Sequence, residues 1–151
     1  MSEGKIQRFE AFLTGITLCY KYIQRIKNAE MTEFGLKGIH VSCLFYLSHS
    51  PDGLTSAQLC QLCAEDKATI SRTVSDLRGR GYMEEGQGKN YRAPLRLTAA
   101  GLDVARRMEP IIESWVGVGG LGMTDEERAL FYTCLGRIAA NLRSNLDNTD
   151  I

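Results

Sequence analysis

Residues 55–97, TSAQLCQLCAEDKATISRTVSDLRGRGYMEEGQGKNYRAPLRL, hold two short helical patterns and then a change of period. Thr55 can cap a helix, and Gln58 three residues on completes a T-x-x-Q capping box. Leu59, Leu62 and Cys63 form that helix's inward stripe, and it ends near Ala64. Asp66 is placed to cap a second helix, KATISRTVSDLRGRG. Ile70, Val74 and Leu77 fall at i, i+4 and i+7 and face one way, while Thr69, Arg72, Ser75 and Asp76 face outward. Gly79 or Gly81 stops this helix by admitting a left-handed backbone. Residues 82–85 and 93–97 then flank a polar stretch, 86–92, that contains two glycines. Two short strands around a Gly-containing tip predict a β-hairpin, with Pro94 on the sheet edge. Two helices joined by a tight turn and followed by a hairpin specify a winged helix-turn-helix.

Outward from this lobe the chain reads as helix on both sides. In residues 1–29, Ile6, Phe9, Leu13, Ile16, Tyr20, Ile23 and Lys27 recur at three- and four-residue steps, and Phe12 and Cys19 widen the stripe. A second helix is expected from Leu36 to Ser48, closed by a turn over 49–53. After the hairpin, Thr98 caps a helix to about Val116 with the stripe Leu102, Ala105, Met108, Ile112 and Trp115, and Pro110 is a candidate kink. Residues 117–122, four of them glycine, read as a flexible link. Thr124 and Glu127 form another capping box, and Phe131, Leu135, Ile138, Leu142 and Leu146 mark a last helix. The fold class is mainly α with a small β-wing. One domain, 1–151, is expected, with the lobe at 36–97 between helical arms at 1–29 and 98–151. The wide apolar faces of the arms call for a large partner surface, which a second subunit can supply.

Bulk composition narrows the class. With 44% apolar and 24% charged residues the chain is ordinary for a globular protein and unlike a disordered one. No apolar run reaches the ~18 residues of a membrane span, and the first residues lack an export signal, so cytoplasmic residence is expected. Five cysteines, an odd number, argue against a disulfide framework and for reduced thiols. Formal net charge is zero, but residues 55–97 carry seven cations and five anions. That bias has the sign a DNA-facing segment needs.

The helix after Asp66 has the make-up of a DNA-reading helix. Its outward residues Lys67, Ala68, Thr69, Ser71, Arg72 and Ser75 are short or cationic. Short side chains let the backbone approach a groove floor, Arg72 can fork onto a guanine edge, and Thr69 and Ser71 can bond base or phosphate. At the hairpin tip, Lys89, Asn90, Tyr91 and Arg92 suit a minor groove. Each segment alone is also compatible with a solvated polar surface; their order along the chain favours duplex DNA as partner.

Three stretches, LTSAQLCQLCAEDKATISRTVSDLRGRGYMEE, LRLTAAG and GMTDEERALFYTCLGRIAANL, resemble the MarR family, the multiple antibiotic resistance regulators. The resemblance implies a transcriptional regulator that is a homodimer with interleaved terminal helices. Two recognition helices would then enter successive major grooves of a pseudo-palindrome. It further implies a small-molecule effector held between the dimer helices and the lobe, and repression relieved by that effector. Tyr20, Tyr22, Phe45 and Trp115 are candidates to line such a pocket, with core packing as their default. The family's wing commonly carries an Asp-Arg-Arg-type tip; here Lys89, Asn90 and Tyr91 stand there, so the groove role passes to Arg92.

Other chemistry is weakly supported. Cys60 and Cys63 form a C-x-x-C without a second ligand pair, which reads as packing rather than zinc. His40 and Cys43, at i and i+3, can share a ligand but do not make a closed site. A redox- or metal-sensing regulator using the cysteines stays open as an alternative, as does a helical dimerisation module without DNA binding. No nucleophile–base set and no phosphate loop is present, so neither an enzyme nor a cofactor is expected.

Overall fold

The computed structural model describes residues 3–86 and 92–147. Their helices are α1 (Glu3–Glu30), α2 (Gly38–Ser48), α3 (Ser56–Cys63), α4 (Lys67–Gly79), α5 (Ala99–Gly119) and α6 (Asp125–Asp147), with a 3-10 turn at Thr32–Phe34 between α1 and α2. The helix order is the expected one, and the architecture is mainly α. Among the described residues no helix is long and apolar enough to cross a membrane.

Local chemistry sets most helix ends. Thr55 and Gln58 close the reciprocal box at α3: the Thr55 N–H donates to Gln58 Oε1 (2.8 Å) and the Gln58 N–H to Thr55 Oγ1 (3.2 Å). Ala64 ends α3 in the left-handed region, φ 54°. Thr98 Oγ1 accepts from the Gly101 N–H at the start of α5 (3.1 Å). The Thr124–Glu127 box opens α6 with bonds of 2.8 and 3.2 Å. Of the two candidate stops for α4, Gly79 is its last helical residue and Gly81 takes the left-handed φ of 75°.

Two boundaries differ from expectation. Leu36 lies before α2, in a turn closed by Gly35 at φ 63°, and α2 starts at Gly38, whose N–H donates to Asn28 Oδ1 (2.9 Å). The glycine-rich link is shorter than expected, because α5 runs on through Gly117 and Gly119 and the turn is confined to 120–122, with Gly122 at φ 81°.

The wing also differs. Among the described residues the flanks of the hairpin make isolated antiparallel bridges, Met83 with Leu97 and Leu54 with Leu95, rather than two continuous strands. Pro94 supplies no N–H to a ladder, which limits pairing beside it. Leu54, the residue before the α3 cap, joins the sheet by exchanging bonds with Leu95 of 3.1 and 2.7 Å. The tip residues Lys89, Asn90 and Tyr91 lie outside the described residues.

The described residues divide after Ile111 into two compact units. The core of the first is built from α2–α5 and the bridged segments: Leu44, Leu59, Leu77 and Met108 are fully buried, with Ile70 and Met83 nearly so. Gly101 lies so near the Tyr82 carbonyl that a Cβ there would overlap it, which explains the glycine in LRLTAAG and locks the start of α5 to the wing. Arg107 lies over the Phe34 ring at 4.9 Å. In the second unit, α6 has no buried residue.

Candidate nucleic-acid interface

The geometry of α4 begins at its cap. The Thr69 N–H donates to Asp66 Oδ1 at 2.6 Å, and this backbone bond holds the Asp66 carboxyl below the usual carboxylate range. Ile70, Val74 and Leu77 face the core, as their spacing requires. Thr73 joins them at 5% exposure, its hydroxyl satisfied by the Thr69 carbonyl at 2.8 Å.

Of the outward residues, Lys67, Ala68, Ser71, Arg72 and Ser75 are exposed and Thr69 is half-buried. Arg72 Nη2 lies 3.5 Å from Thr69 Oγ1, one turn back toward the capped end. These six residues therefore lie along one helix, with the cationic and hydroxyl groups on its open side. Arg92, the one described residue of the expected wing tip, is exposed.

Three other cations of this region are engaged inside the lobe. Arg78 Nε donates to the Glu84 carbonyl (3.1 Å), Arg96 Nη2 to the Asp52 carbonyl (3.1 Å), and Arg80 Nε to Asp76 Oδ2 (3.2 Å). They brace the wing and the end of α4, so a charge count along the sequence overstates the charge available to a ligand.

The structure adds a residue pair that spacing did not reveal. His40 on α2 donates from Nε2 to Asp76 Oδ2 of α4 (2.8 Å) and accepts at Nδ1 from the Lys37 N–H (2.9 Å). His40 is buried at 4% exposure, and burial lowers its pKa, with Asp76 opposing the shift and Arg80 and Lys37 reinforcing it. Asp76, exposed as expected, also ties α4 to α2. A cleft of about 480 Å³ opens beside this tie, lined by Lys37, Ile39, Thr69, Arg72 and Arg80 among others.

His40 thus turns to Asp76 while Cys43 turns to Cys63, Sγ to Sγ 4.0 Å, so the two do not share a ligand. Cys43 is fully buried, as a packing role requires, whereas Cys60 and Cys63 are only half-buried. Among the described residues no group of three or more His, Cys, Asp or Glu could hold a metal ion. Tyr20 and Tyr22 are 62% and 52% exposed, so core packing within this chain does not account for them.

Residues 34–87 match the model of the MarR family. Among solved structures, a MarR protein from Peptoclostridium difficile is 20% identical with a TM-score of 0.79, covering 89% of this chain and 89% of that one. A MarR-family transcriptional regulator from Silicibacter pomeroyi is 25% identical (TM-score 0.72; 92% and 90% covered). MepR of S. aureus, in a complex with DNA, is 16% identical (TM-score 0.73; 84% and 93% covered). No curated protein matches the chain in sequence.

Proposed function

We propose that the chain is a winged-helix transcriptional regulator of the MarR kind, whose family model matches residues 34–87, and that it is a cytoplasmic, homodimeric, ligand-responsive repressor that reads a pseudo-palindromic operator. The observation that carries the DNA-reading part is α4: a capped helix with its aliphatic side in the core and Lys67, Ala68, Ser71, Arg72 and Ser75 in the open. A helix N-terminus favours phosphate, and short polar residues around one arginine let the rod enter a major groove. Arg72 reads a base edge, Thr69, Ser71 and Ser75 bond base or phosphate, and Lys67 neutralises phosphate. Lys89, Asn90, Tyr91 and Arg92 take the adjacent minor groove. The DNA complex of MepR, a protein of similar fold, supports this placement.

The dimer part rests on exposed apolar side chains in both arms. On α1, Phe9, Leu13 and Ile23 are 62%, 50% and 49% exposed; on α6, Leu130, Leu142 and Leu146 are 64%, 56% and 61% exposed. Rows of exposed apolar side chains on each helix mark an interface, and a twofold dimer would space two α4 helices about one DNA turn apart. An effector that prefers one spacing of the two helices shifts the population away from the DNA-binding form.

Selection from genomic duplex fragments with the purified protein tests the reading. Specific binding should weaken with salt, log K falling by about 0.9 per phosphate neutralised for each unit of log salt. Arg72→Ala should cost about 1–3 kcal/mol on the selected site, and Arg92→Ala should weaken binding as well. Absence of any shift at low salt would leave only a dimerisation module.

A further inference from the structure

We propose that Cys63 and Cys43 form a built thiol–disulfide pair, in which Cys63 attacks a small organic disulfide and Cys43 resolves the product into an internal Cys43–Cys63 disulfide. The pair joins α2 to the last residue of α3, twenty residues apart in the chain, with the sulfurs 4.0 Å from each other. A disulfide needs about 2.05 Å, so the two sulfurs have about 2 Å to close. The two thiols are unequal. Cys63 is half-buried and within reach of a small molecule; Cys43 is fully buried.

The surroundings sharpen that division of labour. The contact with the Cys43 thiol, helped by the Lys27 ammonium, holds the Cys63 pKa below its ordinary value against burial and Glu65. The same contact and burial push the Cys43 thiol up. Lys27 is pinned over this spot by its 2.7 Å bond to Ser42 Oγ. A thiolate at the accessible sulfur and a thiol at the buried one is the arrangement for attack followed by resolution.

The step balances with a glutathione-type disulfide as oxidant. The Cys63 thiolate attacks one sulfur of the small disulfide, breaks its S–S bond and expels one thiolate. Cys43 then gives up its proton and attacks the Cys63 sulfur, expelling the second. The two protein sulfurs are oxidised, and one small disulfide is reduced to two small thiols. Cys60, three residues before Cys63 and also half-buried, is the competing partner. Cys19 and Cys134 are exposed on α1 and α6 and are positioned for links between molecules instead.

The pair sits at a mechanically sensitive place. Cys63 is followed by left-handed Ala64, then Glu65, then the Asp66 cap of α4. Drawing the sulfurs together loads this short turn and moves the start of α4. This consequence rests on the DNA-binding reading above: oxidation should weaken operator affinity by about tenfold or more, a loss of ~1.4 kcal/mol.

The test is peptide mapping of the full chain after incubation with oxidised glutathione and alkylation of the remaining thiols. The expected result is a Cys43–Cys63 cross-linked peptide that dithiothreitol releases. Cys63→Ser should abolish it, at a position exposed enough to keep the fold. Cys43→Ser should trap glutathione on Cys63. A Cys60–Cys63 link, glutathione stalled on Cys63 in the unsubstituted chain, or only intermolecular links through Cys19 or Cys134 would overturn the pair. Because the mapping contains no DNA, its outcome is separate from that of the operator assay. If the reduced protein binds operator and the cross-linked protein binds it equally, the link to regulation fails.

Discussion

The lobe from α2 to the wing and the two long helices α1 and α6 solve opposite problems. The lobe closes on itself: its apolar side chains are buried, its helix ends are capped, and its buried histidine is bonded at both ring nitrogens. The two helices leave theirs unburied, with Phe9 on α1 and Leu130 on α6 more than 60% exposed. A lobe of this kind carries its own stability, whereas in the proposed dimer the stability of the arms would depend on a second surface and therefore on concentration.

The largest effect should come from the lobe. Leu44→Ala, at a fully buried position, is expected to cost about 2–5 kcal/mol. Urea titration should show that loss equally at low and high protein concentration. A loss that shrinks on dilution would mean that the lobe, too, leans on a partner. The arms should behave in the reverse way. Leu130→Glu with Leu142→Glu places charge on α6 at side chains that are 64% and 56% exposed. Sedimentation should then report monomer, a weakening of about 100-fold or ~2.7 kcal/mol, while helix content measured by circular dichroism is retained. An unchanged dimer would remove α6 from the interface.

A smaller effect sharpens the account of the lobe. Thr55→Ala breaks the reciprocal cap of α3 and should cost about 1 kcal/mol, read as a lower urea midpoint with unchanged slope. The mildest is a pH dependence. Burial keeps the folded-state pKa of His40 below its ordinary value, so the fold favours the neutral ring. Its contribution is therefore complete above the unfolded value of about 6.5 and declines as pH falls toward the lower folded value. Urea midpoints measured down from pH 7.5 should fall more steeply for the unsubstituted chain than for His40→Gln. Parallel profiles would mean the ring is not held neutral.

What could be read in advance follows the range of the interactions. Caps at Thr55, Asp66, Thr98 and Thr124 were legible because each bond spans three residues, within reach of a sequence pattern. The inward row Ile70, Val74, Leu77 was legible because helical periodicity decides it, and the exposure of Arg72 and Ser71 follows from the same rotation. Thr73 was missed because its polar label hides a hydroxyl that its own helix satisfies. The two short strands of the hairpin are reduced, among the described residues, to isolated bridges; Pro94, legible as an edge residue, offers no N–H to a longer ladder.

The sequence by itself determined which segments are helical, where most of them start, and which side of α4 is polar. These are choices made within one turn of backbone. Only the tertiary structure decided that Asp76 answers to His40, that Leu54 pairs with Leu95, that Gly101 presses on Tyr82, and that Cys43 meets Cys63. Each joins residues about 20 to 40 positions apart, and no local period specifies such a meeting; packing of one element against another does.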